Sequence, residues 1–382
     1  MAAKNDSPGS FSLPGGHTLL SGQRLESIEV AFETFGKLDA QGSNAVLIFH
    51  ALSGDSHVAN GPDVTGRPRD GWWADLVGPG RAIDTTRYFV VCANVIGGCS
   101  GTTGPGSIDP ATGASYGTRF PLVTIEDMAD IQAALLDSLG IARLLAVVGG
   151  SMGGMQALAF AQRFPDRCAS VLAIATTWRL GAQAIAFNEV GRTAILGDPA
   201  FLGGDYYGSG QPESGLAIAR MIGHITYLSD DSMREKFGRR LREREGHAFE
   251  FVSEFEVESY LAYQGRKFVE RFDANTYLYM TKAMDYFDLS AGFPDLVDAV
   301  RGIDARFLVL SFSSDWLFPT YQARELVDAL QAAGSEVSFA EIESPYGHDA
   351  FLLEPAEQTR FIAPFLASVY ADGRDTRGDD AR

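Results

Sequence analysis

Short apolar runs recur along this chain: NAVLIFHAL (44–52), YFVVCANVI (88–96), LLAVVGG (144–150), SVLAIAT (170–176), RFLVLSF (306–312) and VSFAEI (337–342). They are rich in β-branched residues and apolar on both phases of a two-residue repeat, as parallel strands covered on both faces are. Two earlier segments, HTLLSGQ (17–23) and ESIEVAFETFG (26–36), alternate more and predict an antiparallel edge pair. Helix-period segments lie between the later runs. TIEDMADIQAALLDSLG (124–140) opens on a Thr-x-x-Asp capping pattern and closes on a glycine. PTYQARELVDALQAAG (319–334) starts on proline and also ends on glycine. Strand and helix alternating at these lengths predict an α/β protein with a doubly wound, mostly parallel sheet and helices on both faces.

From 177 to 295 the strand runs stop. Four helical segments replace them: AQAIAFNEVGRTAILG, SGLAIARMIGHITYLS, VESYLAYQGRKFVERF and NTYLYMTKAMDYF. Strands resume afterwards and complete the sheet, so the interval is expected to be a helical cap over it. The predicted organisation is a core in two parts, 1–176 and 296–368, a cap at 177–295, and a charged, small-residue tail at 369–382 expected to be disordered.

Length and charge narrow the partners. A chain of 382 residues with 46% apolar and 21% charged residues has the composition of a soluble globular protein with a sizeable core. Its net charge of −18 repels phosphate backbones and anionic lipid, so neither nucleic acid nor a membrane surface is an expected partner. No run approaches the roughly 18 apolar residues of a membrane span. The N-terminal MAAKNDSPGSFSLPGG lacks the apolar segment of a secretory signal. Three cysteines with no CxxC spacing give no disulfide framework, and a cytoplasmic protein with reduced thiols is expected.

The chemistry centres on GGSMGG (149–154), which contains Gly-x-Ser-x-Gly between a strand and a helix. That context is the one a nucleophile elbow requires. Gly149 and Gly153 let the two backbones approach where a Cβ would clash. Ser151 then points its hydroxyl up from the carboxyl end of the sheet, and the Met152 N–H at the helix N-terminus faces the site of a developing oxyanion. A phosphate loop would need Gly-Lys-Ser/Thr, which is absent, and Met155 stands where a dinucleotide motif would put its third glycine.

A serine hydroxyl needs a base oriented by an acid. On such a sheet the chain order is serine, acid, histidine, each at a strand's carboxyl end. Of the six histidines, only His348, in SPYGHDAFL, follows all the strands. RFLVLSFSSD ends in Asp315, which gives Ser151, Asp315 and His348. The second oxyanion donor is expected in the loop after VLIFH, at the Leu52 N–H. His50 reads as structural, His57 as pocket-lining or on a loop, His224 as a core residue and His247 as solvated. The elbow alone fits esterases, lipases, peptidases and acyltransferases equally.

The motifs HALSGDSH, GWWADLVGPGRAIDT, GTTGPGSIDPATG, VVGGSMGGMQAL, AFNEVGRTAI, ARMIGHITYLSD, VESYLAYQGRKFVERFDANTYL and YGHDAFL together resemble the homoserine O-acyltransferases of the α/β-hydrolase fold, from about residue 10 to residue 368. The resemblance implies O-acylation of L-homoserine for methionine biosynthesis, with the same triad. It also puts the family's homoserine-binding arginine on Arg220 and a substrate-binding aspartate on Asp349. Arg220 can clamp the α-carboxylate in two places and Asp349 can hold the α-ammonium. Tyr227, further along the Arg220 segment, is placed to add a hydroxyl.

A ping-pong reaction with acyl-CoA as co-substrate and no resident cofactor or metal follows, with the cap keeping water from the acyl-serine. Arg179, Arg239 and Arg240 are candidates for the CoA phosphates. Succinyl-using relatives carry an arginine two residues after the catalytic aspartate; here that position is Leu317, which would leave a distal carboxylate unpaired. The expected donor is therefore acetyl-CoA. The alternatives are homoserine or serine O-succinyl transfer, or ester hydrolysis by the same triad. The resemblance also implies a homodimer.

Overall fold

All six apolar runs form strands, and with two strands before them they make one sheet. The computed structural model describes residues 7–62, 67–242 and 246–379. The strands are β1 (Ser7–Leu13), β2 (Ile28–Phe35), β3 (Ala45–Phe49), β4 (Phe89–Ala93), β5 (Ala146–Gly150), β6 (Ser170–Ile174), β7 (Arg306–Phe312) and β8 (Val337–Ile342). Their spatial order is β1-β2-β4-β3-β5-β6-β7-β8. From β4 to β8 every pairing is parallel, while β1–β2 and β2–β4 are antiparallel.

The antiparallel edge is there, with a different partner from the one the alternation suggested. β2 pairs with GSFSL, from the turn-rich N-terminal stretch. HTLLSGQ contributes only His17–Thr18, in a two-residue ladder with Arg24–Leu25. Gly22, left-handed at φ 81°, turns that chain too soon for a full strand.

Burial on both faces explains why the runs are apolar on both phases. Leu47, Phe49, Val91 and Val147 join one core with the helices α1 (Ile125–Ser138) and α2 (Met152–Arg163). Their neighbours Val46, Ile48, Val90 and Val148 face the other core, with Trp73, Phe351 and Leu366. Each such side chain, fully buried, contributes roughly 1.5–3 kcal/mol. Thr124 caps α1 in a capping box with Asp127, as its motif predicts.

Between β6 and β7 lie the helices α3 (Ala182–Leu196), α4 (Glu213–Tyr227), α5 (Asp230–Lys236), α6 (Glu256–Val269) and α7 (Ala274–Tyr286). They have a core of their own, around Leu216, Ala219, Phe268, Phe272 and Tyr277. The end of α4 is tied to the sheet's carboxyl edge: Trp316 donates its indole N–H to the Leu228 carbonyl at 3.0 Å, and the Ser229 and Ser232 hydroxyls both donate to Pro345 O. The tie brings the C-terminal turn of α4 against the loops after β7 and β8.

The C-terminal boundary expected at 369 is too early. The last helix runs from Pro355 to Asp379. Val369 is 4% exposed, and Tyr370 sets its ring edge-on to Tyr88 at 5.9 Å, so burial holds this turn to the core. Residues 380–382 of the expected tail lie outside the described residues. No described helix is long and apolar enough to cross a membrane.

Candidate active site

The sharp turn at Ser151 is built from what its neighbours lack. Ser151 sits at φ 57°, ψ −126°, a conformation that costs about 1–3 kcal/mol for a residue with a Cβ. A Cβ on Gly149 would lie 2.0 Å from the Gly153 carbonyl oxygen, and one on Gly153 would lie 2.1 Å from the Phe49 oxygen. Only glycine lets β5, α2 and β3 come this close. The strained residue is gripped on both sides: its N–H donates to Ile174 O at 3.0 Å, and its carbonyl accepts from the Gly154 N–H at 2.9 Å and the Thr176 hydroxyl at 2.8 Å.

Three side chains from three strand ends meet here. Ser151 Oγ lies 2.8 Å from His348 Nε2, and His348 Nδ1 lies 2.7 Å from Asp315 Oδ2. Asp315 Oδ1 accepts the Leu317 and Phe318 amides at 3.0 and 2.9 Å. With the carboxylate so fixed, the histidine carries its proton on Nδ1 and offers Nε2 to the serine. The rings of Phe318, Phe351 and Tyr227 surround the imidazole at centroid distances of 5.0, 5.4 and 6.0 Å. All three polar residues are buried. The arrangement can take a proton from a hydroxyl and return it to a leaving group without bulk water.

The loop after β3 is held by His50. Its Nε2 accepts from the Asn94 side chain and the Val95 N–H, both at 3.1 Å, so Nδ1 carries the proton and donates to Ala51 O at 2.8 Å. Burial lowers its pKa and keeps the ring neutral. The Ala51 carbonyl also accepts the Gly54 N–H, and Gln156 donates to His50 O. Among the described residues neither the Leu52 N–H nor the Met152 N–H has an acceptor, and Leu52 lines the same cavity as Ser151.

That cavity is small, about 40 Å³, and its walls include Leu180, Ala184, Phe187, Ile222, Met284 and Leu317. None of the described residues lining it is a lysine or arginine.

Next to the triad stand two opposite charges that do not touch. Arg220 lies over the Phe268 and Tyr227 rings at 4.7 and 5.5 Å. Asp349 follows the base in sequence, and burial pushes its carboxyl pKa up, against the nearby charges of His348 and Arg220. Each feels the other, yet among the described residues neither has an oppositely charged group within 4.0 Å. Burial also raises the Tyr227 pKa, so its hydroxyl stays protonated between them.

The other candidates fall elsewhere. His57 is fully buried and lines no part of this site: its Nδ1 lies 2.7 Å from Glu33 Oε2 and its Nε2 3.0 Å from Arg69 O. A carbonyl cannot donate, so Nε2 donates to Arg69 O while Nδ1 faces the Glu33 carboxyl. His247 is exposed and pairs with Glu254 at 3.0 Å. Of the cations suggested for CoA, Arg240 is engaged by Glu256 at 2.7 Å, Arg239 lies over Phe255 and Arg179 over Trp178. Tyr260, whose hydroxyl meets His224 Nδ1 at 3.1 Å, was not singled out in the sequence. No group of three or more His, Cys, Asp or Glu among the described residues is arranged to hold a metal.

Known proteins resemble the chain along nearly its whole length. A family model described as alpha/beta hydrolase fold matches residues 44–355. Homoserine O-acetyltransferase of Bradyrhizobium diazoefficiens is 55% identical over 357 residues, covering 93% of this chain and 89% of that protein. The Methanohalobium evestigatum protein of the same name is 53% identical over 360 residues, covering 94% of this chain and 73% of its own. The crystal structure of homoserine O-acetyltransferase from Bacillus anthracis superposes with a TM-score of 0.88 at 31% identity, over 95% of this chain and 98% of that one.

Proposed function

The chain belongs to the homoserine O-acetyltransferases of the α/β-hydrolase fold, enzymes that acetylate the homoserine hydroxyl, and from that premise we propose that it takes the acetyl group from acetyl-CoA, carries it on Ser151 and delivers it to L-homoserine for methionine biosynthesis. One observation carries this reading: a cation, Arg220, and a carboxylate, Asp349, neither with an oppositely charged partner among the described residues, stand beside a connected Ser151–His348–Asp315 relay. A hydrolase needs the relay alone. The separated charges match the α-carboxylate and α-ammonium of an amino acid.

In the first half-reaction His348 Nε2 takes the Ser151 proton as Oγ attacks the thioester carbonyl. The oxyanion rests on the Leu52 and Met152 N–H groups, the second aided by the N-terminus of α2. The tetrahedral intermediate collapses, the C–S bond breaks, and the proton on His348 goes to the departing thiolate. In the second half His348 takes the proton of the homoserine hydroxyl, which attacks the acetyl-serine and releases Oγ, reprotonated by His348. Arg220 and Tyr227 hold the carboxylate end and Asp349 the ammonium.

Residues 177–295 act as the cap that keeps water from the acyl-serine. The cavity of about 40 Å³ admits two or three water-sized groups, the size of an acetyl. A succinyl group would bring a carboxylate with no cation on those walls, at a cost of several kcal/mol. Val190 and Leu196 on α3 and Ile218 and Ile225 on α4 are exposed, and they support a homodimer joined through these helices.

Mass spectrometry of the protein mixed with acetyl-CoA tests the reading. One acetyl group is expected on Ser151, lost on adding homoserine with O-acetylhomoserine as product. No adduct refutes the acetyl-serine. An adduct that decays to acetate at the same rate with or without homoserine makes the protein an ester hydrolase.

A further inference from the structure

Three polar side chains share one face of α4. Arg220 and His224 are four residues apart and His224 and Tyr227 three apart, the spacings that stack side chains on a helix. His224 is 6% exposed. Its ring meets Tyr227 and Tyr260 edge-on, at 5.9 and 5.6 Å between centroids. Its Nδ1 has a partner, the Tyr260 hydroxyl at 3.1 Å. Its Nε2 is buried with none among the described residues. An imidazole nitrogen hidden from water without a hydrogen bond costs about 1–3 kcal/mol, and such an atom on the helix face that also carries Arg220 and Tyr227 calls for an explanation.

We propose that His224 is a third binding group for the amino-acid acceptor, donating from Nε2–H to the α-carboxylate that Arg220 clamps. The inference rests on the reading of Arg220 and Asp349 as the two ends of an amino-acid site.

The tautomer follows from the neighbours. Burial first, then the positive charges of Arg220, Lys236 and Arg271, bring the His224 pKa down to about 3, so the ring is neutral. Burial also raises the Tyr260 pKa, so its hydroxyl keeps its proton. A phenol O–H donating to Nδ1 leaves the imidazole proton on Nε2. Tyr260 on α6 thus sets which end of the ring is the donor, and it ties that choice to the packing of α6 on α4. A neutral donor suits this position. A second full cation beside Arg220 would be repelled, whereas an N–H dipole adds direction to the carboxylate without that repulsion.

The test uses two acceptors, L-homoserine and 3-aminopropan-1-ol, which is homoserine without its carboxylate. kcat/KM is measured with each in the wild type, His224→Leu, His224→Gln and Arg220→Leu, and the p-nitrophenyl acetate burst reports the triad. His224→Leu is expected to lose about tenfold or more with homoserine, to change little with aminopropanol and to keep its burst. His224→Gln, whose amide NH₂ reaches near the Nε2 position, is expected to recover most of the loss. Equal losses on both acceptors, or a lost burst, would make His224 a packing residue and overturn the proposal. If Arg220→Leu is impaired on homoserine and His224→Leu is not, the His224 inference alone falls. If Arg220→Leu also leaves homoserine untouched, the amino-acid site itself falls with it.

Discussion

The elbow and the acceptor pocket lie on either side of His348, and they are built on opposite principles. At the elbow every backbone group of Ser151 is engaged, and three strand ends hold one strained residue in place. In the pocket, among the described residues, Arg220 and Asp349 lack ionic partners and His224 Nε2 lacks any hydrogen bond. The elbow stabilises a reacting atom whose position must not change between half-reactions. The pocket leaves its polar groups open, and on the proposed reading homoserine would supply what they lack. A covalent site is thus held by the fold, whereas a reversible site is completed by its ligand.

The largest effect expected from breaking this contrast is at Ser151. Ser151→Gly should lower kcat by about 10⁴-fold or more, since nothing else can carry the acetyl group. It should also stabilise the protein, by roughly 1–3 kcal/mol, because glycine adopts φ 57° without strain. Denaturant melts of the two proteins check this; equal or lower stability for the glycine variant would mean the turn is not strained. A side chain added to the elbow has the reverse outcome. Gly149→Ala must force apart the Gly153 backbone 2.0 Å away, and soluble folded protein is not expected.

On the pocket side, Arg220→Leu should cost about 10²- to 10³-fold in kcat/KM for homoserine, the scale of removing one member of a buried charged pair. Acetylation of Ser151 by acetyl-CoA, followed by mass spectrometry before homoserine is added, should proceed normally. A variant slow in both halves would show that the two regions are not separable.

A smaller shift is expected at the wall they share. Leu317 donates its backbone N–H to Asp315 and lines the cavity at Ser151. Leu317→Arg keeps the amide and adds the missing cation. The ratio of kcat/KM for succinyl-CoA over acetyl-CoA should rise about tenfold or more. An unchanged ratio would move the selectivity to another wall of the cavity, such as Phe187 or Met284.

What the sequence disclosed follows the same division. The six parallel strands were legible because burial on both faces writes itself into consecutive residues, as in AVLIF of β3. The triad was legible because the elbow fixes the chain order serine, acid, histidine, which left one histidine after the last strand. Features resting on a distant partner were not. Nothing in HTLLSGQ says that Gly22 turns it away from the sheet. His57 was read as pocket-lining or on a loop; it lies on a loop, and nothing local showed that it pairs with Glu33, 24 positions upstream. His224 looked like core because its one distinguishing property, an unmet Nε2, exists only once Tyr260 has claimed Nδ1. Arg220 on its own reads as a solvated helix cation, and it was the resemblance to a family that singled it out.

The smallest expected effect, on stability, exposes the cost of an open pocket most directly. Burial raises the Asp349 pKa above that of the unfolded chain, so the native protein binds this proton more tightly. Between the ordinary carboxylate value and the raised one, the folded state then carries more protons than the unfolded state, and stability falls as pH rises through that window. At neutral pH the ionised carboxylate is a standing penalty, with no salt bridge among the described residues to relieve it. Asp349→Asn removes the penalty. The variant should bind homoserine poorly, since it has lost the charge that faces the ammonium, yet melt at a higher temperature than the wild type at pH 7. The gap should shrink as the pH falls and Asp349 takes up its proton. Saturating homoserine should raise the melting temperature of the wild type and leave the variant nearly unmoved. A variant less stable than the wild type at pH 7 would mean that Asp349 has a structural partner, and that the pocket is not the unfinished half of this site.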